Sequence, residues 1–337
     1  MAAAGTQPAP ELRQALRSGM IVAFHARRMP DALAIASPEG DRSFRELNAR
    51  ANQLARALRA RGLEAGDGIA LVCRNRPEFA ETAVGALRAG LRLTTINWHL
   101  TADEIAYIVG DCEARALVGD ARFGDALAEV EGAVPGLRAR LAVGGAIEGF
   151  EPFDGALDAE SDADLDDPVL GTTMLYTSGT TGRPKGVHRP RVRAGPAARK
   201  IAELVGYRAG EDRHLCTGPL YHAAPLAFSL NGPLTSGVGV VMMDGWDAVR
   251  ALELVARHGV THTHMVPTMF HRLLALPEDL RAGHDLSSLR MILHGAAPCP
   301  VAVKQRLMEW LGPIVYEYYA ATEGFEPFDG ALDAESD

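Results

Sequence analysis

Between residues 32 and 119 short apolar runs alternate with longer stretches whose apolar residues recur at helical spacing, and few folds accept that alternation. Ala32–Ser37, Gly68–Cys73, Leu91–Ile96 and Arg115–Gly119 read as strands, the second of them fully buried. Between the first two, Phe44, Leu47, Ala51, Leu54, Ala55 and Leu58 keep the helix period. Ser43 and Glu46 frame that helix as a capping box, in which hydroxyl and carboxylate each satisfy an orphan backbone N–H, and Gly62 ends it. Pro77 starts a second helix and Gly90 stops it. Thr101 with Glu104 repeats the box for a helix reaching about Val109. Further strands are predicted at Arg213–Thr217, Val238–Met242, Val260–His264 and Met291–His294, with a last strand-like run at Ile314–Ala320. Strands alternating with helices of roughly 10 to 18 residues predict βαβ units and a mostly parallel sheet, an α/β fold.

The stretch Met174–Val187, MLYTSGTTGRPKGV, carries the chemistry. Its apolar lead-in resembles the end of a buried strand. Thr177, Ser178, Gly179, Thr180, Thr181 and Gly182 follow, small residues whose free N–H groups and hydroxyls can line a concave anion site. Lys185 then offers a point charge suited to phosphate oxygens. The nucleotide P-loop pattern needs Gly-Lys-Ser/Thr at the mouth of a helix. Here Pro184 precedes the lysine and pushes Arg183 toward extended geometry, so Lys185 is predicted on an extended segment. A flexible Ser/Thr/Gly linker would need neither the apolar lead-in nor one lysine at this spacing.

YTSGTTGRPKGV resembles the signature loop of the adenylate-forming, AMP-binding superfamily, which includes acyl-CoA synthetases, luciferases and peptide-synthetase adenylation domains. Further matches extend the resemblance over about residues 20 to 324. Ile96–Val118 and His264–Phe270 are similar to segments of fatty-acyl-CoA synthetases, the second running beside the acyl tunnel there. The resemblance implies the layered parallel-sheet and helix N-terminal domain of that superfamily. It implies ATP, Mg²⁺ and coenzyme A as reaction partners of a carboxylic acid, read here as a fatty acid. By the same resemblance Tyr221 and His222 of PLYHAAP line the acyl pocket, and the turn Gly295-Ala296-Ala297-Pro298 holds adenine. Tyr319 stacks on adenine, Thr322 binds near the α-phosphate and Glu323 holds Mg²⁺. Ala320 stands where the family pattern Tyr-Gly-x-Thr-Glu has glycine. Catalytic roles are thus expected of Lys185, Thr322 and Glu323.

Composition narrows the setting. The 337 residues are 47% hydrophobic and 23% charged, ordinary for a soluble globular protein, and the net charge of −9 argues against wholesale nucleic-acid binding. Local cations are supplied instead by Arg183, Lys185, Arg189, Arg191 and Arg193, of which Arg191 and Arg193 read as a solvated basic face. Cys73, Cys112, Cys216 and Cys299 are far apart and read as buried small hydrophobes in a reducing compartment. The N-terminus lacks a secretory pattern and the run at 20–24 is too short to cross a bilayer, so a cytoplasmic enzyme without an integral membrane segment is expected. His262 and His264 share one face of a strand but lack a third ligand nearby, and read as structural. The acidic stretch 145–168 reads as a solvated connector.

Gly324–Asp337, GFEPFDGALDAESD, repeats Gly149–Asp162 residue for residue. Solenoid units recur and diverge, so this identity reads as a copying or assembly scar at residues 325–337. The expected organisation is an N-terminal extension over 1–19, an incomplete AMP-binding domain over 20–324, and the repeated tail. Relatives carry a lid bearing an adenylation lysine beyond this point. Two alternatives to a CoA ligase follow: a non-catalytic fragment, or an enzyme loading a carrier-protein thiol.

Overall fold

The computed structural model describes residues 10–177, 183–189, 203–321 and 324–326. The chain forms two compact units, one built from 1–34, 42–73 and 77–190, the other from 35–41, 74–76 and 191–337. Helices Pro10–Ser18 and Ile21–Arg28 lead into two short strands, β1 (Leu33–Ala36) and β2 (Arg42–Ser43).

The first unit holds β3 (Gly68–Val72), β4 (Arg92–Thr95), β5 (Ala114–Asp120), β6 (Ala139–Val143), β7 (Glu151–Pro152), β8 (Thr172–Thr177) and β9 (Lys185–Arg189). They form one sheet in the order β7-β6-β5-β3-β4-β8-β9. Every pair is parallel except β8 with β9, as the βαβ alternation predicts. All five residues of β3 are buried, whereas β8 is only half-buried along its length, a correction to the buried strand expected there. β8 lies between β4, to which it is parallel, and β9, the antiparallel strand at the edge of the sheet.

Both capping boxes form. The Ser43 hydroxyl accepts from the Glu46 N–H at 3.2 Å and Glu46 Oε2 accepts from the Ser43 N–H at 2.7 Å. Thr101 and Glu104 do the same for the helix Ala102–Asp111, two residues longer than predicted. Gly90 ends the helix Pro77–Arg88 at φ +84°, with Ala65 Cβ only 2.8 Å from where a side chain would start, so no other residue fits.

That helix is buried on nearly all sides, and two of its charged side chains, Glu81 and Arg88, are held by partners on neighbouring elements. Glu81 accepts from Arg42 Nε at 2.8 Å and lies 3.5 Å from Arg50 Nε. Burial raises its pKa and the two guanidiniums oppose the shift. Arg88 donates to the Asn48 carbonyl, the Asn48 amide oxygen and the Asn52 amide oxygen. Burial pulls its pKa down to about 10. The stretch 145–168 is no solvated connector: it contains β7 and the helix Phe153–Asp158, and its carboxylates pair with arginines of the helix Phe44–Ala60.

The second unit holds β10 (Arg213–Cys216), β11 (Gly239–Met242), β12 (His262–Met265), β13 (Met291–His294) and β14 (Val315–Glu317). These run parallel in the order β14-β13-β12-β10-β11-β1, with Ile35 and Ala36 of β1 opposite Val240 and Val241. Its core gathers Leu252, Phe270, Leu273, Ile292 and Leu307. The single run expected at 314–320 is two strands, because the chain leaves the sheet at Tyr318. The hairpin β15 (Tyr319–Ala321) and β16 (Gly324–Glu326) follows. Cys73, Cys112 and Cys216 are buried free thiols and Cys299 is half-buried.

Candidate functional site

In the first unit the site is a hairpin tip. Lys185 opens β9 as expected of an extended segment, and it sits directly opposite Thr177, the last residue of β8. Ser178, Gly179, Thr180, Thr181 and Gly182 lie outside the described residues, but their two ends are thus fixed side by side. Because β8 runs parallel to β4, the tip lies at the carboxyl end of the sheet, where open α/β sheets bind ligands. Lys185 is exposed there.

Packing around the hairpin explains why it holds its shape. Gly186 faces Tyr176 across the ladder, and a Cβ at 186 would lie 2.2 Å from Met174 Cε and 3.1 Å from the Tyr176 ring. Tyr176 donates its hydroxyl to Asp111 Oδ2 at 2.5 Å, and burial with this bond raises the phenol pKa. The Arg183 guanidinium lies 5.0 Å above the Tyr107 ring. Tyr107 and Asp111 are one turn apart on the helix Ala102–Asp111, so one helix face braces both flanks of the loop. Sequence reasoning passed over these two residues, although their spacing of four was the signal.

In the second unit the predicted residues also gather at carboxyl ends of parallel strands. Tyr221 and His222 follow β10, with ring centroids 4.5 Å apart. His222 is exposed, yet the protein around its ring lowers its pKa. Gly295, Ala296, Ala297 and Pro298 follow β13; Gly295 is buried and the other three are exposed. Ala296 holds φ at +67°, the left-handed region that alanine rarely enters, so the turn is strained. The ring that approaches the Gly295 backbone is the protein's own Tyr318, whose Cζ would lie 2.6 Å from a Cβ at 295. Tyr319 is placed by backbone alone, in β15, and Thr322 and Glu323 lie outside the described residues.

An aromatic and imidazole cluster sits beside that turn, and the sequence did not reveal it. Tyr318 Oη is 2.9 Å from His264 Nε2, and Phe228 stacks on the imidazole at 5.5 Å. Burial, with the nearby His294, pulls the His264 pKa down to about 4. His294 is fully buried, and neither ring nitrogen has a hydrogen-bond partner among the described residues. Burial lowers its pKa to about 4 against the opposing pull of Glu317, whose Oε2 is 3.9 Å away and is held by Lys304 Nζ at 3.1 Å. His262 and His264 do lie on one strand, but each is taken by its own partner. Val205 O lies 2.9 Å from His262 Nε2. No group of three His, Cys, Asp or Glu side chains among the described residues could hold a metal ion. Nor does any described helix have the length and apolar character to cross a membrane.

The AMP-binding enzyme family matches residues 22–328. An indoleacetate–CoA ligase of Aromatoleum aromaticum is 30% identical, covering 89% of this chain and 58% of the ligase. A fatty acid–[acyl-carrier-protein] ligase of Streptomyces coeruleorubidus is 29% identical, over 89% of this chain and 57% of its own length. The chain therefore spans less than six-tenths of these relatives. Among solved structures, that of an anthranilate CoA ligase in complex with anthranoyl-AMP superposes with a TM-score of 0.81 at 24% identity, covering 93% of this chain and 60% of the other. At that identity the likeness shows the fold, a layered N-terminal domain of adenylate-forming enzymes.

Proposed function

Since the chain belongs to the AMP-binding enzyme family, we propose that it supplies the nucleotide- and acid-binding part of an acid–thiol ligase. The carboxylate of the acid attacks the α-phosphorus of ATP, the bond to the β-phosphate oxygen breaks, and acyl-adenylate and pyrophosphate result. A thiol, that of coenzyme A, then takes the acyl group and AMP leaves. The acid brings its own nucleophile, so the protein contributes positioning and charge stabilisation.

The observation that carries this reading is the β8–β9 hairpin. It holds Thr177 and an exposed Lys185 at the two ends of a Thr/Ser/Gly turn, at the carboxyl end of a parallel sheet. Lys185 would stabilise the departing pyrophosphate and the hydroxyls of Thr177, Ser178, Thr180 and Thr181 would hold phosphate oxygens, with Gly179 and Gly182 letting the backbone close in. Adenine would lie against Gly295, Ala296, Ala297 and Pro298 with Tyr319 on its face. Thr322 would sit at the α-phosphate. The donor set fits Mg²⁺, a hard cation that takes one carboxylate together with phosphate oxygens and water. Glu323 would hold it, and it would neutralise charge on the phosphates.

Tyr221 and His222 would border the acid. A fatty acid is the first reading, from the segments Ile96–Val118 and His264–Phe270. An aromatic acid is the second, favoured by the rings of Phe228, His264 and Tyr318 packed together beside the Gly295 turn. A carrier-protein thiol in place of coenzyme A is an alternative acceptor, as in the streptomycete relative's name.

ATP–pyrophosphate exchange across a panel of fatty and aromatic acids tests the reading. Exchange is expected with one acid class and should fall about 100-fold in Lys185→Ala, the size of losing one group that stabilises developing charge. Exchange unaltered by that substitution would overturn it, and no exchange with any acid, with no Mg-ATP binding by calorimetry, would favour a non-catalytic protein.

A further inference from the structure

The segment 149–162 is seated along the helix Phe44–Ala60 and its C-cap Arg61, and the side-chain part of the contact reads its sequence. Arg61 Nη2 lies 2.5 Å from Glu151 Oε2 and Arg61 Nε 3.2 Å from Oε1. Arg50 pairs with Asp154 and, at 2.8 Å, with Asp158. Gln53 Nε2 donates to the Glu160 carbonyl at 3.2 Å, Arg56 Nη1 to that of Ser161 at 3.1 Å and Asn52 Nδ2 to that of Asp162 at 2.8 Å. Between these, Phe153, Ala156 and Leu157 are buried, positions i, i+3 and i+4 of one helical face. The Arg50 guanidinium lies 5.8 Å over the Phe153 ring. Glu151–Pro152 also adds a parallel strand to the edge at β6. An aromatic anchor, a leucine and two carboxylates four residues apart therefore fit one basic helix face.

The same sequence stands at 324–337, whatever brought it there. Glu326, Phe328, Asp329, Leu332 and Asp333 are the counterparts of Glu151, Phe153, Asp154, Leu157 and Asp158. We infer that residues 324–337 of a second copy of this chain are a ligand for the helix Phe44–Ala60, docking where 149–162 sits. Each chain then owns one receptor face and two sequences that fit it, and a reciprocal exchange closes a two-fold dimer. This inference is independent of the proposed ligase activity.

Two features set how far the exchange goes. Residues 163–167 lie outside the repeated stretch. The Ala163 carbonyl accepts from Arg56 Nη1 at 2.6 Å, Asp164 pairs with Arg27 at 2.8 Å and Asp167 with Arg59 at 2.7 Å. These keep the resident segment anchored at one end and favour it at low protein concentration. Docking also withdraws Gly324–Glu326 from its hairpin with Tyr319–Ala321. The dimer is therefore expected to grow with concentration and when the resident segment is weakened.

The test compares the full chain carrying Asp154→Asn and Asp158→Asn with the same variant lacking residues 327–337. The amides keep side-chain volume, and circular dichroism checks folding. Light scattering on the eluting protein should show a dimer fraction at least fivefold higher in the chain that keeps the tail. Equal fractions overturn the inference, as does a monomer stabilised by its own tail. In a second measurement, labelled GFEPFDGALDAESD is titrated into the tail-less chain, with the resident segment unaltered should the amide variant not fold. It should bind at least tenfold tighter than the peptide with both paired aspartates changed to lysine. Equal binding of the two peptides overturns the inference.

Discussion

In the first unit a buried carboxylate, Glu81, and a buried guanidinium, that of Arg88, are held by polar partners; in the second, four buried imidazoles are kept neutral. Glu81 is held by Arg42 and Arg50 and Arg88 by Asn48 and Asn52, while Asp154, Asp158 and Asp167 pair with Arg50 and Arg59 at the surface. His214, His262, His264 and His294 do the equivalent work in the second unit, and burial lowers the pKa of every one. Both units are parallel sheets with helices, so the contrast is not one of architecture. It teaches that the two should answer differently to pH. A paired carboxylate whose pKa is lowered stays ionised down to acid conditions, whereas a neutral imidazole depends on the solution not protonating its unfolded form.

The largest effect follows from that difference. The folded pKa values of His264 and His294 lie at about 4, below the ordinary 6.5, and that of His214 lies well below it too. The unfolded chain binds these protons first, so the stability they contribute is complete above pH 6.5 and is lost as pH falls toward the folded values. Each such histidine removes about 1.4 kcal/mol per pH unit within that window. In the first unit Glu151 and Asp164 have lowered pKa values: the bond from Arg61 is the main cause for Glu151, while for Asp164 the bonds from Asn48 and Asn52 overcome burial. Their contribution begins to fail only below the ordinary carboxylate range. Hydrogen exchange followed by peptide should show the second unit opening several kcal/mol more easily at pH 5 than at pH 7, with no such loss in the first, where burial raises the Glu81 pKa and acid therefore favours its folded form. Equal loss in both units would break the comparison.

Arg88→Leu is expected to be next, costing about 3 kcal/mol, because it removes the donor that the buried amide oxygens of Asn48 and Asn52 share. The loss should appear in urea unfolding at pH 5 and pH 7 alike, since the pair does not titrate between them. A loss confined to one pH would mean that the first unit, too, relies on a titrating group.

The same contrast marks what could be read from the sequence. Local signals survived: both capping boxes, the Gly90 stop, the parallel pairing of the strands, and the extended segment predicted for Lys185 after Pro184. The acidic run 145–168 was misread because its partners, Arg50, Arg56, Arg59 and Arg61, are about a hundred residues away and nothing local distinguishes a solvated carboxylate from a paired one. His294 opens the turn read as an adenine site, but its burial has no local signal: Phe270, whose ring meets it edge-on at 5.2 Å, comes from another element. Tyr319 is singled out by its place in the pattern Tyr-Gly-x-Thr-Glu, and nothing in that pattern marks Tyr318, which lies between β14 and β15. The residues proposed for the phosphates were legible as a motif, and the braces at Tyr107 and Asp111 only as a helix face.

Tyr318→Phe gives the smallest effect and the sharpest comparison. The hydroxyl is 2.9 Å from His264 Nε2, both groups are buried, and the ring itself packs against Gly295 and Phe228. Removing one oxygen leaves that packing intact and makes His264 resemble His294, a buried imidazole with an unsatisfied nitrogen. The cost is set by the orphaned nitrogen, about 1 to 2 kcal/mol in urea unfolding at pH 7. If His294 is tolerated unpaired because the second unit can hold a neutral imidazole on burial alone, the variant should keep its pH dependence between 7 and 5 and shift the whole curve down. A curve that instead flattens would mean that the phenol, more than burial, was holding His264 neutral, and the account of the second unit would then rest on hydrogen bonding.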